Sequence, residues 1–347
     1  MRYVLIDTSN MFFRARHQAH RASDTWTKLG FALHLTIMSA NKVARRFNAD
    51  HVVFALEGRS WRKDYYEPYK KNRTVARAAL TEVEAEEDKL FWETYDELTK
   101  YLSTKTNCSV IRCATAEADD IIARWIALHP QDQHTIVSSD SDFLQLVAPN
   151  VDLYNGVNDH LFTPNGITDD KGRKLAFTVE SNSKIKVGKA DANFEAPEDY
   201  HRWSLFLKCM RGDPGDNVFS AYPNAPIKGS KNRVGLKEAF EDRSRKGYNW
   251  NNLMLQRWID HNDNEHKVLD DYERNCTLID LTAQPSAVKD IVDTAIREQV
   301  GTQDIGQVGM HLLKFCGKFE LNKLSEHADA VSRWMNATYK GVLNDRS

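Results

Sequence analysis

Arg2-Tyr3-Val4-Leu5-Ile6-Asp7-Thr8-Ser9-Asn10 opens the chain, a short β-rich run that ends on a carboxylate and then on turn- and cap-forming residues. The same arrangement returns twice. His51-Val52-Val53-Phe54-Ala55-Leu56 reads as a buried strand ending at Glu57, and Thr135-Ile136-Val137 delivers Ser138-Ser139-Asp140. Between these runs, Leu29, Ala32, Leu33, Thr36, Ile37, Ala40, Val43, Ala44 and Phe47 keep helical spacing over residues 28–47. A polar helix is predicted over 84–103, a strand at 109–111, a helix over 116–128 and a strand at 151–154. Strands alternating with helices predict an α/β fold, with a mostly parallel central sheet covered by helices on both faces. Asp7, Glu57 and Asp140 then lie at the C-terminal ends of strands, where open α/β sheets bind ligands.

The texture changes after about Gly156. Residues 165–191 are polar and loop-like apart from a hairpin strand at 175–179. Helices are predicted over 198–210, 235–242, 250–261, 272–278 and 285–300. The expected division is an α/β domain over 1–190 and a mainly helical lobe over 191–347.

Nine carboxylates carry the chemistry. Seven of them lie in Glu117-Ala118-Asp119-Asp120, Asp140-Ser141-Asp142 and Asp213-Pro214-Gly215-Asp216; Asp7 and Glu57 stand ahead. Each cluster alone has a plain explanation, since acids favour helix N-termini and Ser and Asp favour turns. Together, at strand ends and adjoining turns, they would repel one another and lose solvation. Hard divalent cations with oxygen ligands are the usual compensation. Two such ions can position a water and stabilise both oxygens of a phosphodiester displacement. A metal-dependent nuclease follows.

The 347 residues are 41% hydrophobic and 28% charged, with no apolar run near the ~20 residues of a membrane span, so a cytoplasmic protein is expected. Five cysteines form no C-x-x-C pair and read as reduced thiols. No phosphate-binding G-x-x-x-x-G-K-[ST] loop, no G-x-G-x-x-G and no H-E-x-x-H is present. Setting nine candidate ligands aside turns the net charge of −2 into +7, which suits a phosphate polymer. The cations concentrate in two places. Residues 59–77 hold seven Lys or Arg interleaved with one Trp and three Tyr, a pattern that tracks a phosphate backbone and stacks bases. Lys228-Gly229-Ser230-Lys231-Asn232-Arg233-Val234-Gly235-Leu236-Lys237 leads into a helix and reads either as a plain basic loop or as a duplex-binding hairpin.

Ile6-Asp7-Thr8-Ser9, Glu57 with Trp61-Arg62-Lys63, Tyr69-Lys70-Lys71-Asn72-Arg73, Glu117-Ala118-Asp119-Asp120, Ser139-Asp140-Ser141-Asp142 and Gly212-Asp213-x-x-Asp216-Asn217, in that order, resemble the flap endonuclease/5′-nuclease superfamily. The likeness is nearest to its phage-encoded ribonuclease H members and extends to about residue 300. It implies a first magnesium site at Asp7, Glu57, Glu117, Asp119 and Asp140, and a second served by Asp120, Asp142, Asp213 and Asp216; Mn2+ is expected to substitute. It implies that Lys70 and Arg62 contact the scissile phosphate and that Tyr69 stacks on the terminal base. Lys63, Lys71 and Arg73 would hold nearby nucleic acid. A helical arch would span 67–103, and Lys228, Lys231, Arg233 and Lys237 would belong to a helix-hairpin-helix-like element gripping duplex. The implied activity is 5′-3′ exonuclease, flap endonuclease and ribonuclease H cleavage, removing RNA primers and 5′ flaps in replication. The substrates are DNA and RNA–DNA hybrid, a single-strand DNA-binding protein is an expected partner, and the protein is expected to be monomeric. Glu57 stands where the family usually has Asp. The rival reading is a DNA-binding protein of the same fold whose catalytic site has weakened.

Overall fold

The computed structural model describes residues 1–18, 24–301 and 304–344. Strands β1 (Arg2–Asp7), β2 (His51–Leu56), β3 (Ser109–Arg112), β4 (Gln133–Val137) and β5 (Val151–Asn155) pair in parallel, in the order β3-β2-β1-β4-β5. Ile6 lies beside Phe54 on one side and Val137 on the other. Helices α1 (Thr8–Gln18), α2 (Thr25–Arg46), the single turn α3 (Arg62–Tyr65), α4 (Lys71–Ala78), α5 (Glu82–Lys105) and α6 (Ala118–Leu128) run between them.

Strand alternation sorts the core into two layers. Val4, Ile6, Val52 and Phe54 point to one face and pack with α1, α2 and the second half of α5. Tyr3, Leu5, Val53 and Ala55 point to the other and pack with α6. The sheet does not stop at β5, as the polar texture of 165–191 suggested. It continues antiparallel through β6 (His160–Thr163), β7 (Gly166–Thr168), β8 (Lys174–Val179) and β9 (Ile185–Ala190). These strands are short and half exposed, so their inward residues, Phe162, Ile167, Leu175 and Phe177, are few and widely spaced.

The remaining chain comprises α7 (Tyr200–Arg211), α8 (Leu236–Glu241), α9 (Tyr248–Met254), the strand pair β10 (Arg257–Ile259) and β11 (Glu265–Lys267), then α10 (Val268–Ile279), α11 (Ser286–Gln299), α12 (Val308–Lys318), α13 (Asn322–Ser325) and α14 (Ala328–Met335). Residues 206–268 contribute a cluster of their own around Phe206, Leu236, Trp250 and Leu253. The later helices return to the sheet: Val292 and Ile296 of α11 join the α6 layer, and Leu312, Val331 and Trp334 join the opposite one. By packing, residues 286–335 thus belong with the sheet and not with a lobe starting at 191. The expected arch is also shorter than 67–103. The described side chains of α4 are exposed, but from Phe91 onward α5 buries Phe91, Tyr95, Leu98 and Leu102 against the sheet. Among the described residues, no helix is long and apolar enough to cross a membrane.

Candidate metal centre and nucleic-acid crevice

The chain order of the parallel strands reverses between β1 and β4, and a crevice of about 560 Å³ opens outside their C-terminal ends. Asp7, Glu57, Glu117 and Asp140 line it. Asp7 ends β1 and accepts hydrogen bonds from the Ser138 hydroxyl (2.9 Å) and the Asn10 N–H (3.2 Å). Glu57 follows β2 and accepts from the Ser9 hydroxyl (3.1 Å) and the Ala118 N–H (3.2 Å). Gly58 makes that approach feasible, because a Cβ there would sit 1.9 Å from the Cys113 carbonyl oxygen. Glu117 caps α6, with Asp119 and Asp120 in its first turn, where carboxylates favour the helix dipole.

Burial, then repulsion from Asp7 and Glu117, pushes the Glu57 carboxyl up to about 7. Burial likewise raises Asp7 and Asp140 to about 6, with Asp142 adding to the shift of Asp140, and lifts Asp119 well above the usual carboxylate range. A cation in the crevice would relieve the three that line it, Asp7, Glu57 and Asp140. The donors are oxygens throughout, so the set fits a hard divalent ion.

Glu117 behaves differently. Burial pushes its carboxyl up, but Lys70 and Arg62 outweigh that and hold it down at about 2. The Lys70 ammonium is hydrogen-bonded to Glu117 and lies 3.5 Å from Asp216. Lys70 adopts φ 53°, and its N–H donates to the Asp216 carbonyl (2.8 Å), so an unusual backbone conformation anchors the residue over the crevice. Lys63, Arg73 and, from α1, Arg14 complete a cationic wall.

Three expected roles change. Oxygens of Glu117, Asp119 and Asp120 approach within 4.8 Å of one another, which resembles a ligand trio. Asp120, however, is fully buried, and both its oxygens are taken: Arg62 binds them in a fork at 2.9 Å each, with Trp61 Nε1 at 3.1 Å and Gln284 Nε2 at 2.7 Å. Asp120 is thus tied to protein groups and is not among the residues lining the crevice. Arg62 is equally buried, and its remaining Nε–H donates to the Leu278 carbonyl (2.8 Å), so it does not reach a scissile phosphate. It positions Glu117, to which it donates at 3.0 Å. Tyr69, expected to stack on a base, is only 4% exposed. Its ring is packed with Cys209, Val218, Leu278 and Ile279, and its hydroxyl lies 3.1 Å from both Glu117 and Asp216.

The second set of acids is arranged around a lysine that sequence reading passed over. Lys208 on α7 bridges Asp142 and Asp213, the latter at 2.8 Å. Its only signal was its place on the helix leading to Asp213. Asp216 is held by Tyr69, Lys70 and Arg73, the last at 2.5 Å. Lys71 is exposed and paired with Glu67. In the 228–237 loop Lys228, Lys231, Arg233 and Lys237 are exposed, with Arg233 donating to the Asn224 carbonyl (2.7 Å). The Gly229 and Gly235 N–H groups point at the Glu238 carboxylate (2.9 and 3.0 Å), so these glycine donors are already used.

Residues 2–172 match the family described as 5′-3′ exonuclease, N-terminal resolvase-like domain. Over 243 residues the chain is 27% identical to a flap endonuclease Xni of Shewanella loihica, covering 69% of this chain and 77% of that one. It is 34% identical over 193 residues to a DNA polymerase I of Rhizobium leguminosarum, spanning 55% of this chain but only 15% of that one. The fold is similar to the bacteriophage T5 D15 flap endonuclease, crystallised as a pseudo-enzyme-product complex with DNA and metal ions: TM-score 0.56, 17% identity, 87% of this chain and 100% of that one. With its acids gathered at the strand ends and this matched N-terminal half, the chain is a phosphodiesterase that belongs to the flap endonuclease/5′-nuclease superfamily.

Proposed function

We propose that the protein is a magnesium-dependent 5′-3′ exonuclease and flap endonuclease with ribonuclease H activity, phage-encoded, which removes RNA primers and 5′ flaps during DNA replication. One observation supports it best: Asp7, Glu57, Glu117 and Asp140 converge on one crevice whose wall carries Lys63, Lys70 and Arg73. Asp7, Glu57, Glu117, Asp119 and Asp140 would hold a first ion, and Asp142, Asp213 and Asp216 a second, with Mn2+ able to substitute. Such ions activate water and stabilise a leaving oxygen.

The chain's own residues supply the rest. Lys70, fixed by Glu117 and Asp216, places a permanent positive charge where a phosphate gathers negative charge. Arg62 keeps Glu117 in place from behind. Arg73 and Lys63 meet the flanking backbone, and residues 228–237 meet duplex through exposed side chains. The single-stranded end passes α4, and a single-strand DNA-binding protein is the expected neighbour at a fork.

A 5′-flap duplex and an RNA-primed duplex, each with and without Mg2+, test the proposal through product lengths. Metal-dependent cleavage of both, lost in Asp119→Asn and Asp140→Asn with DNA binding retained, is the expected result. Wild-type turnover by those variants would falsify the metal assignment, and an intact RNA strand would remove the ribonuclease H activity.

A further inference from the structure

The family match ends at residue 172, and just beyond it lies a cationic surface with no role so far. β8 and β9 form the last hairpin of the sheet, and among the described residues β9 is its unpaired edge. Leu175, Phe177, Val179, Ile185 and Val187 turn inward and pack on the core. The outward face is exposed at Lys174, Thr178, Lys184, Lys186 and Gly188. A register shift between Leu175 and Phe177 gives β9 an extra residue, so Lys189 is exposed as well. Lys174, Lys184, Lys186 and Lys189 make no ion pair with any described residue; Arg173, beside them, is paired with Asp169.

The strip begins at the acids. The hairpin turn is pinned where the Ser204 hydroxyl of α7 donates to the Ser183 carbonyl (2.8 Å). One helical turn further along α7, Lys208 bridges Asp142 and Asp213. Ser183, Asp142 and Lys208 line one small pocket. From there the lysines run outward along the edge strand.

We propose that this β8–β9 face is a contact surface for the phosphate backbone of the duplex part of the substrate, continuous with the crevice. Alternate residues on a strand lie about 6.6 Å apart, close to the rise of two base pairs, about 6.8 Å, so Lys184 and Lys186 match a regular polyanion. Besides the lysines, the exposed positions of the hairpin are Thr178, Glu180, Ser181, Asn182, Gly188 and Ala190; one acid stands among four lysines and no position is aromatic, so there is nothing for an unpaired base to stack on. Phosphates alone are read, which selects duplex over single strand. The proposal rests on the nuclease reading for the identity of its ligand. Lysines on an edge strand have a second explanation, protection against edge-to-edge pairing.

The test is fluorescence anisotropy of the full chain, without divalent ions, on a nicked duplex and on a single strand of equal length, over a series of salt concentrations. The Lys184→Ala/Lys186→Ala/Lys189→Ala variant should bind duplex about tenfold or more weakly, with the log–log salt slope smaller by about 2 to 3, and single strand nearly as wild type. The corresponding Glu variant should lose more, with thermal unfolding unchanged for both. Unchanged duplex affinity and slope overturn the proposal, including the case where the variants merely aggregate, which would make the lysines edge guards. An equal loss for single strand overturns the duplex assignment. If wild-type protein shows this lysine-dependent duplex binding but cleaves no flap, the nuclease reading fails and this surface stands; if it cleaves flaps and the variants bind normally, only this surface fails.

Discussion

Lys70 and Arg62 reach the same carboxylate, Glu117, from opposite sides, and their surroundings separate their roles. Lys70 lines the crevice, whereas Arg62 is sealed behind it with Asp120, Glu117 and the Leu278 carbonyl as partners. Removing one member of a buried ion pair costs about 3–5 kcal/mol, because the other charge is left uncompensated. Arg62→Ala should therefore lower the unfolding free energy by that order, read as a fall in the urea midpoint. Lys70→Ala should lower the midpoint less, because Glu117 keeps Arg62 and the crevice side admits water, while reducing the single-turnover rate about 10²–10³-fold, as loss of a preorganised electrostatic group does. Equal effects of the two variants on stability would place both residues on the same side of the crevice wall. The identity of every crevice acid was legible in sequence, because each follows an apolar run or a turn signal. Which acids face solvent was not legible: Asp119 and Asp120 are neighbours of like chemistry, and only the position of Arg62 and Gln284 decides between them.

At the level of elements, β1, β2, β4 and the helices beside them were legible because apolar period and acid-bearing strand ends agreed. Of the β6–β9 extension only the hairpin strand at 175–179 was legible, and it is β8; β6, β7 and β9 are short and half exposed, with too few apolar residues to show a strand period. The helix expected over 250–261 ends at Met254, and β10–β11 follows, closed by an Asp260 turn whose carboxylate accepts from the Asn262 and Asn264 N–H groups. Helices α12–α14 bury residues supplied by distant parts of the sheet, so nothing local marks them. The connection after α7 carries the sharpest requirement. Gly212 caps the helix at φ 75°, and a Cβ would lie 2.3 Å from the Val218 carbonyl oxygen. Gly212→Ala should cost more than the ~1 kcal/mol of an ordinary glycine substitution. It should also displace Asp213, lowering turnover along with the thermal midpoint; unaltered turnover in a folded variant would argue against a working role for Asp213.

For the molecule as a whole, the floor of the sheet is closed by the C-terminal segment, where His51 contacts the Ala337 carbonyl (3.0 Å) and Ser109 (2.8 Å). Burial pushes His51 and His134 down to about 4, from an ordinary value near 6.5. Between those values the unfolded chain takes up protons that the folded chain refuses, so this contribution to stability is present above pH 6.5 and lost as pH falls towards 4. Asp7, Glu57 and Asp140, with raised values, act in the opposite sense. The comparison of wild type with His51→Gln isolates the histidine: their difference in unfolding free energy should shrink by up to about 1.4 kcal/mol per pH unit below 6.5. A constant difference would mean that His51 is charged in the fold. The strand order carries one more consequence. β1, made before the other four parallel strands, sits between β2 and β4, with Val4 beside both Val52 and Thr135. The acids run from Asp7 to Asp216. At roughly 5–20 residues per second, a nascent chain therefore spends on the order of ten seconds or more on the ribosome with an incomplete centre. Its capacity to cut nucleic acid arrives late, after the sheet has all five parallel strands to close on.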